Sequence, residues 1–384
     1  MNILVVPSWY PPFDNLKSEG GSFFREQAIA LAKNPSNKVY ILDLKFVMKG
    51  KPTPQLLAGF FYTDGDLYVY TKYCIGLSKS FNFQKTLAYK KELKRIICTV
   101  SSIDIIWAHS VFPAGLSMSV LGRKYHIPVV ITEHASWISE KKLNFIDKQI
   151  LKHTLTRSNV FVCVSNKLRI NIQEMCHNKK KILVIPNFIS SEFSPPDSQQ
   201  YQNCLSQYGY KILSVGALID RKKHDLLIRA FYSAFNEIPN TYLYIIGSGE
   251  EENSLKALIQ QLKLQKRVFI VGKIPRDEIG MYFKSCDLFA LASETETFGV
   301  VYIEALACGK PVVSVQNGGA DDIIRPCCGI LVQRNNEQAF SHALINARSM
   351  AFSEHKIKQY FVDNFSDSAI IKQYSSIFDT LVKP

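Results

Sequence analysis

The chain lacks any run of 18 apolar residues, so no membrane-spanning helix is expected. Its first apolar stretch, Ile3 to Val6, is stopped by Pro7 with no basic residue before it, which argues against a secretory signal. No C-x-x-C pair occurs among the nine cysteines, and Cys327 and Cys328 are adjacent rather than spaced as zinc ligands. An odd, unpatterned cysteine set is most simply that of a reducing, cytoplasmic protein. Zinc-finger, RNP and helix-turn-helix signatures are missing, so nucleic acid is not expected as a partner. There is no repeat of 20 to 50 residues and no low-complexity tail.

Acidic residues are scarce in the first half alone. Residues 1 to 190 hold 26 Lys and Arg against 12 Asp and Glu, whereas the remainder holds 20 against 21, so the net charge of +13 belongs to the first half. Between Lys72 and Arg95 fall Lys79, Lys85, Lys90, Lys91 and Lys94, while Tyr89, Leu93, Ile96, Ile97 and Val100 recur at helical spacing. The pattern predicts a helix packed on a sheet with a basic outer side, which is either a solvated face or a site for an anionic membrane surface.

What is present in quantity is apolar alternation. With 384 residues and 47% hydrophobic content, the chain suits two domains, each with its own core. Short runs rich in Val and Ile are expected as strands near residues 2 to 6, 38 to 44, 104 to 108, 128 to 132, 160 to 164 and 182 to 185, then 211 to 215, 241 to 246, 268 to 271, 287 to 291 and 311 to 314. Helical patterns separate them, which predicts parallel sheets covered on both faces: an α/β protein of two doubly wound, Rossmann-like domains facing a central cleft. The linker-like composition from Ser190 to Gln207 places the domains at 1–190 and 191–364, with a closing helix near 365–384 packed back on the first. Ligands of such sheets bind beyond the carboxyl ends of the strands.

Polar residues just after strands are therefore the candidates. Gly20-Gly21 precede a helical run from Ser22 to Ala32, which suits an anion at a helix N-terminus, although a plain turn reads the same way. His109 follows the third strand of the first half, and Glu133 and His134 follow the fourth. Arg221, Lys222 and Lys223 lie between a strand and a helix, where cations oppose the macrodipole; a bound anion relieves that conflict, and an exposed loop is the competing account. The run IIGSGEEE lacks the third glycine of a dinucleotide fingerprint, which disfavours a nicotinamide cofactor. Most telling is ETETFGVVYIEALACGKPVV, where Glu304 falls about one turn inside a short apolar helix that ends at Gly309-Lys310-Pro311. A carboxylate there needs a partner, and a ligand hydroxyl is one candidate.

Taken together, PSWYPP with GGSFFREQ, VIPNF, VGAL with its following lysine, IGSGEE, the Glu-x7-Glu block from Glu296 to Glu304, and Asn317-Gly318-Gly319 resemble glycosyltransferase family 4 in order and over nearly the whole chain. The resemblance implies a retaining transferase of GT-B architecture that uses a nucleotide-sugar donor, needs no metal and has no other cofactor. It implies that Glu304 accepts hydrogen bonds from the ribose, that Glu296 faces the donor sugar, and that backbone amides of Phe298, Gly299 and Val300 face the diphosphate. Lys222 with Arg221 neutralises the departing diphosphate beside Gly216, and His134 with Gly21 lines the reaction centre from the first domain. In many relatives the residue after the strand glycine is arginine; here it is Ala217, and Lys223 stands where a glycine is usual. The implied function is transfer of a hexose-type unit to a growing glycan of a surface polysaccharide; a lipid-linked acceptor and a place peripheral to the membrane on the cytoplasmic side rest on the basic first half. A nucleotide-sugar 2-epimerase of the same architecture and an inactive nucleotide-sugar-binding subunit are the alternatives.

Overall fold

A computed structural model describes residues 1–14, 22–47, 52–75, 82–100, 102–135, 138, 143–177, 180–190, 193–194, 204–205 and 208–382. The chain forms two compact units, Met1–Pro186 with Ile370–Pro384, and Asn187–Ala369. The division falls a few residues before the expected one, because Ile189 bridges to Ser366 within the second unit. Gly20 and Gly21 lie outside the described residues.

The first unit is built on β1 (Asn2–Val6), β2 (Lys38–Val47), β3 (Phe60–Asp64), β4 (Leu67–Ile75), β5 (Ile105–His109), β6 (Val129–Glu133), β7 (Val160–Cys163) and β8 (Leu183–Val184). They stand in the order β3-β4-β2-β1-β5-β6-β7-β8. Ile3 to Val6 and Ile105 to Ala108 are wholly buried, as expected of central strands covered on both faces. The sheet is not purely parallel: β3 pairs antiparallel with β4. This hairpin was not expected, although Asp64-Gly65-Asp66 between two aromatic-rich runs is a turn signal, with Gly65 at φ +58°. The closing helix Asp367–Val382 docks here through Tyr374 and Phe378, whose rings lie 4.4 and 5.8 Å from Trp107. Trp107 Nε1–H donates to Thr132 Oγ1 at 2.9 Å, which in turn lies 3.0 Å from the Tyr374 hydroxyl.

The basic helix spans Asn82–Val100 and corrects one expectation. Lys85 is buried with its ammonium over the Phe46 ring, and Arg95 and Lys72 pair with the buried Glu92. Arg95 stays partly exposed while paired, and Lys90, Lys91 and Lys94 are the exposed lysines of the helix, in line with Phe83 and Leu87, which are 75% and 47% exposed.

The second unit carries β9 (Tyr210–Val215), β10 (Thr241–Ile246), β11 (Val268–Gly272), β12 (Leu288–Leu291), β13 (Val312–Val315) and β14 (Gly329–Val332) in a parallel sheet ordered β11-β10-β9-β12-β13-β14. β14 was not expected, since its four residues carry too little pattern to separate from a loop. Its core gathers Ile212, Leu243, Ile245 and Leu288 from the strands with Phe231, Phe235 and Leu344 from the helices, each worth roughly 1.5–3 kcal/mol of burial. Strand order reverses between β1 and β5 in the first unit and between β9 and β12 in the second. Those two switch points are where ligands of open α/β sheets bind.

Candidate active site

At the second switch point, the loops after β9, β12 and β13 are laced together. After β9, Asp220–Lys222 form a short 3-10 turn, and Lys223 then adopts φ +50° before the helix His224–Phe235. The left-handed conformation explains why a glycine suits that position. The loop is not a loose exposed segment. The Arg221 carbonyl accepts from Glu294 N at 2.9 Å, and Arg221 Nη1 donates to the Thr295 carbonyl at 3.4 Å. Lys222 Nζ lies 2.5 Å from Glu296 Oε1. The conflict between these cations and the helix dipole is thus met in part by a carboxylate of the protein itself.

Gly216 closes the end of β9, and a Cβ on it would come within 3.6 Å of the Lys222 stem. The two glycines of IIGSGEEE serve close backbone crossing: a Cβ on Gly247 would sit 1.9 Å from the Gly216 carbonyl and one on Gly249 2.2 Å from that of Leu218. Their spacing therefore answers to loop packing, and no dinucleotide fingerprint is needed to account for it.

Glu296 itself is 8% exposed, and its amide donates to the Asn317 carbonyl at 3.1 Å, tying the β12 loop to the β13 loop. Asn317 is fixed from both ends. Its Nδ2 donates to the Ser293 carbonyl and the Tyr302 hydroxyl, and its Oδ1 accepts from Gly319 N and Ala320 N. Gly319 is needed because a Cβ there would lie 2.2 Å from the Phe298 carbonyl. Phe298 is buried, and Gly299 turns at φ +87° directly over the Tyr302 ring, where a Cβ would meet ring carbon at 2.5 Å. The helix Val300–Ala307 starts from that turn, so its first amides have no carbonyl of their own helix to bond.

Glu304 is 3% exposed on this helix, and the structure supplies a partner that sequence analysis did not single out. Arg276, in the loop after β11, donates from Nη1 to Glu304 Oε1 at 2.8 Å. An arginine in KIPRDE, 28 positions from its carboxylate, leaves no sequence signal.

Beneath Gly216 lies His224, wholly buried at the head of its helix. Burial, and then the charge of Lys222, push its pKa down to about 4. The folded value lies below the ordinary one of 6.5, so the unfolded chain binds the proton first and stability falls as pH drops below 6.5 toward 4. Between pH 7 and 5 this single group is expected to cost about 2 kcal/mol, or roughly 5 °C of melting temperature for a unit of this size. His224→Gln should flatten the pH dependence of melting by that amount; an unchanged slope would show that His224 is not the titrating group.

In the first unit, His109 ends β5 and His134 follows β6, with His109 Nδ1 and His134 Nε2 3.2 Å apart. The Phe24 ring lies 4.9 Å from one and 5.2 Å from the other, and Phe23 is 5.2 Å from His134. Burial, then the neighbouring His134, hold the His109 pKa well below the ordinary range, so His109 is neutral at pH 7. Glu133 plays a structural part. Its Oε2 accepts from Val111 N at 2.6 Å and its Oε1 from His134 N and Ala135 N at 2.7 Å, stapling the two loops that carry the histidines. Burial raises its pKa against the pull of those amides.

Two doubly wound units of this kind define a GT-B glycosyltransferase fold. Sucrose-phosphate synthase from Thermosynechococcus elongatus superposes with a TM-score of 0.76 at 18% identity, covering 99% of both chains. Residues 202–361 match the family described as Glycosyl transferases group 1, and residues 51–193 match Glycosyltransferase Family 4. The chain belongs to glycosyltransferase family 4. Among curated relatives, an uncharacterized glycosyltransferase of Methanocaldococcus jannaschii is 28% identical over 65% of this chain and 66% of its own length. The alpha-monoglucosyldiacylglycerol synthase of Streptococcus pneumoniae is 26% identical over 69% of this chain and 65% of its own. The chain spans 50 to 66% of the length of the curated relatives it matches. Among the described residues no helix is long and apolar enough to cross a membrane.

Proposed function

We propose that this glycosyltransferase moves a hexose-type sugar from a nucleoside diphosphate donor to a glycan or lipid-linked glycan acceptor, with retention of anomeric configuration and without a metal ion. The carrying observation is the Lys222–Glu296 pair at the second switch point, beside a helix N-terminus and next in sequence to Arg221. Breaking the bond between sugar and diphosphate builds negative charge on the phosphates and positive charge on the anomeric carbon. Lys222, Arg221 and the amides of Phe298, Gly299 and Val300 answer the first, and Glu296 holds the sugar hydroxyls. Such preorganised groups lower the barrier because they bind the separated charges more tightly than the ground state. Glu304 takes the ribose hydroxyls, since an ionised carboxylate is a strong acceptor for them. Gly216, at the end of β9, lies beside the Lys222 stem. His134, with Gly21, is assigned to the sugar. Retention rests on the family relationship.

The test is a melting screen with UDP-glucose, GDP-mannose and ADP-glucose, followed by transfer of labelled sugar into a lipid extract. A donor at 100 times its dissociation constant adds about 2.7 kcal/mol of stability. No stabilisation by any donor and no labelled product would end the reading; turnover of the sugar with no acceptor present would replace it with the epimerase.

The acceptor side is proposed to work at an anionic membrane on the cytoplasmic side. Phe83 and Leu87 open the helix that carries Lys90, Lys91 and Lys94, and Phe145 and Ile146, also exposed, open the helix Phe145–Arg157. Both helices return from the carboxyl edge of the sheet, so both apolar pairs lie at that edge above the lysines. Each lysine near an anionic surface is worth about 1 kcal/mol. Lys90→Glu with Lys91→Glu and Lys94→Glu is expected to weaken binding to phosphatidylglycerol vesicles by two or more powers of ten, on the order of 3 kcal/mol, and the wild-type affinity should fall with salt. Vesicle binding that ignores the triple reversal would end the idea.

A further inference from the structure

Asn317 has no unused hydrogen-bonding capacity. Its Nδ2 donates to the Ser293 carbonyl at 3.1 Å and to the Tyr302 hydroxyl at 2.8 Å, while its Oδ1 accepts from Gly319 N at 3.2 Å and Ala320 N at 2.9 Å. Two donors and two acceptor lone pairs are all that a side-chain amide offers. Its orientation is fixed as well: a carbonyl can only accept and a backbone amide can only donate, so the flipped amide would face like with like. Through Ser293, whose Oγ lies 3.3 Å from the Arg221 carbonyl, the same residue reaches the loop after β9.

Tyr302 is wholly buried, and with Glu304 it supplies the only polar side chains between Val300 and Ala307. Its hydroxyl lies 2.9 Å from Ser314 Oγ, which also reaches the Leu291 carbonyl at 2.9 Å. Burial, and then the charge of Glu296, push the pKa of the phenol up, so the hydroxyl stays neutral. A phenylalanine would fill the same space, so what the hydroxyl adds is its hydrogen bonds. The bond to Asn317 closes a ring of contacts around the turn at Gly299. From below, the Tyr302 ring stands 2.5 Å from where a Cβ on Gly299 would lie; from the side, Gly319 backs onto the Phe298 carbonyl, which a Cβ there would meet at 2.2 Å. The Asn317 carbonyl accepts from Glu296 N at 3.1 Å. The turn is thus gripped by two elements, and the bond between Tyr302 and Asn317 ties the two grips together.

We propose that Tyr302 and Asn317 are positioning residues for the donor diphosphate: their hydrogen bond locks the turn at Phe298 and Gly299, so that the amides of Phe298, Gly299 and Val300 already point at the phosphates when the donor arrives. This rests on the reading that places those amides at the diphosphate. Because Glu296, assigned to the sugar, stands two residues before Phe298, the turn faces the distal phosphate, the one that carries the sugar. Amide dipoles stabilise an anion most when their direction is set beforehand, since reorienting them on binding uses up the gain. Gly299 supplies the φ of +87° that the turn needs and brings no side chain of its own to hold it. The bond between Tyr302 and Asn317 gives that stiffness from outside the turn. Neither side chain needs to touch the nucleotide.

The experiment measures, by calorimetric titration at pH 7.5, the affinity for a nucleoside diphosphate and for its monophosphate: UDP with UMP, GDP with GMP or ADP with AMP, whichever diphosphate stabilises wild type most on melting. Wild type is expected to prefer the diphosphate by about tenfold or more, the worth of a hydrogen bond to a charged group. In Tyr302→Phe that preference should shrink about tenfold, because only the diphosphate carries the group that the turn faces. A merely structural loosening would weaken both ligands alike and leave the preference where it was. Ser314→Ala deletes a buried hydroxyl from the same cluster and leaves the Asn317 bond standing; it should lower the melting temperature and keep the preference within about twofold of wild type. Should Tyr302→Phe not fold, Asn317→Ser breaks the same bond from the other side. Its hydroxyl still caps Gly319 and Ala320 but is too short to reach Tyr302, and the same shrinkage of about tenfold is expected. Adding Tyr302→Phe to Asn317→Ser should then change the diphosphate affinity by less than about twofold, since the bond is already gone. An unchanged preference in Tyr302→Phe, an equal loss of it in Ser314→Ala, or losses from Tyr302→Phe and Asn317→Ser that multiply in the double variant would overturn the proposal. Wild type binding monophosphate and diphosphate alike refutes instead the assignment of the amides to the diphosphate, and no nucleotide binding at all refutes the donor reading itself.

Discussion

Lys222→Ala is expected to lower turnover by roughly two or more powers of ten, the scale seen when one preorganised electrostatic partner is removed. Arg221→Ala should do the same, and Lys223→Ala should do little. A diphosphate leaving group gains negative charge in the transition state. Ala217 stands where relatives often carry a cation, which leaves Lys222 and, in the same turn, Arg221. The Lys222 ammonium has three donors, of which Glu296 takes one at 2.5 Å, so the pairing orients the cation without using it up. Arg221 is anchored through its carbonyl to Glu294 and through Nη1 to Thr295, and its fork can grip two phosphate oxygens. Lys223 is different. Its ammonium pairs with Asp220 on the surface, and its backbone serves the turn. The loss should fall on turnover more than on apparent donor affinity, because the cations act on charge that develops late. Lys222→Ala also strands the buried Glu296, so the Lys222→Ala, Glu296→Gln double variant separates a melting defect from a catalytic one. Should Arg221→Ala keep near wild-type turnover while Lys222→Ala abolishes it, Arg221 is not the substitute for the missing arginine.

The alternation of buried strands and helices was legible because central parallel strands such as Ile3 to Val6 and Leu288 to Leu291 must be apolar on both faces. The hairpin of β3 and β4 was not read, since its aromatic residues alternate at a sheet edge where half of each strand is wet: Phe61 and Tyr68 remain exposed. Lys85 and Arg95 show a second limit. Charge counting along a helix cannot tell a solvated lysine from one laid over Phe46, or from an arginine answering the buried Glu92. In the second unit, sequence placed Lys222 and Glu296 each just after a strand, and the switch-point geometry brings them together because β9 and β12 are neighbours. Arg276 escaped because its meaning lies wholly in a tertiary contact. Nothing local to KIPRDE distinguishes it from any loop arginine.

Glu304→Ala is expected to loosen binding of the free nucleoside diphosphate itself by roughly 1.5–3 kcal/mol, the worth of a hydrogen bond to a charged group, or about 10- to 150-fold in affinity. A competing account holds that Glu304 exists only to balance Arg276. The two accounts differ in what survives the substitution. Arg276 is partly exposed, so on losing its partner it can turn to water, and the fold should lose less than when a buried charge is stranded. A residue with only that duty would leave the affinity for UDP, GDP or ADP untouched once the protein is folded. One that accepts the ribose hydroxyls cannot be removed without leaving those hydroxyls unpaired in a site already desolvated by the bound nucleotide. Glu304→Gln separates charge from shape, since the amide keeps an oxygen at similar reach but is neutral and brings two donors of its own. It should bind more weakly than wild type. Calorimetry with the free diphosphate at pH 7.5, where wild-type Glu304 is paired with Arg276, gives the reading directly: unchanged affinity in Glu304→Ala removes Glu304 from the nucleotide site.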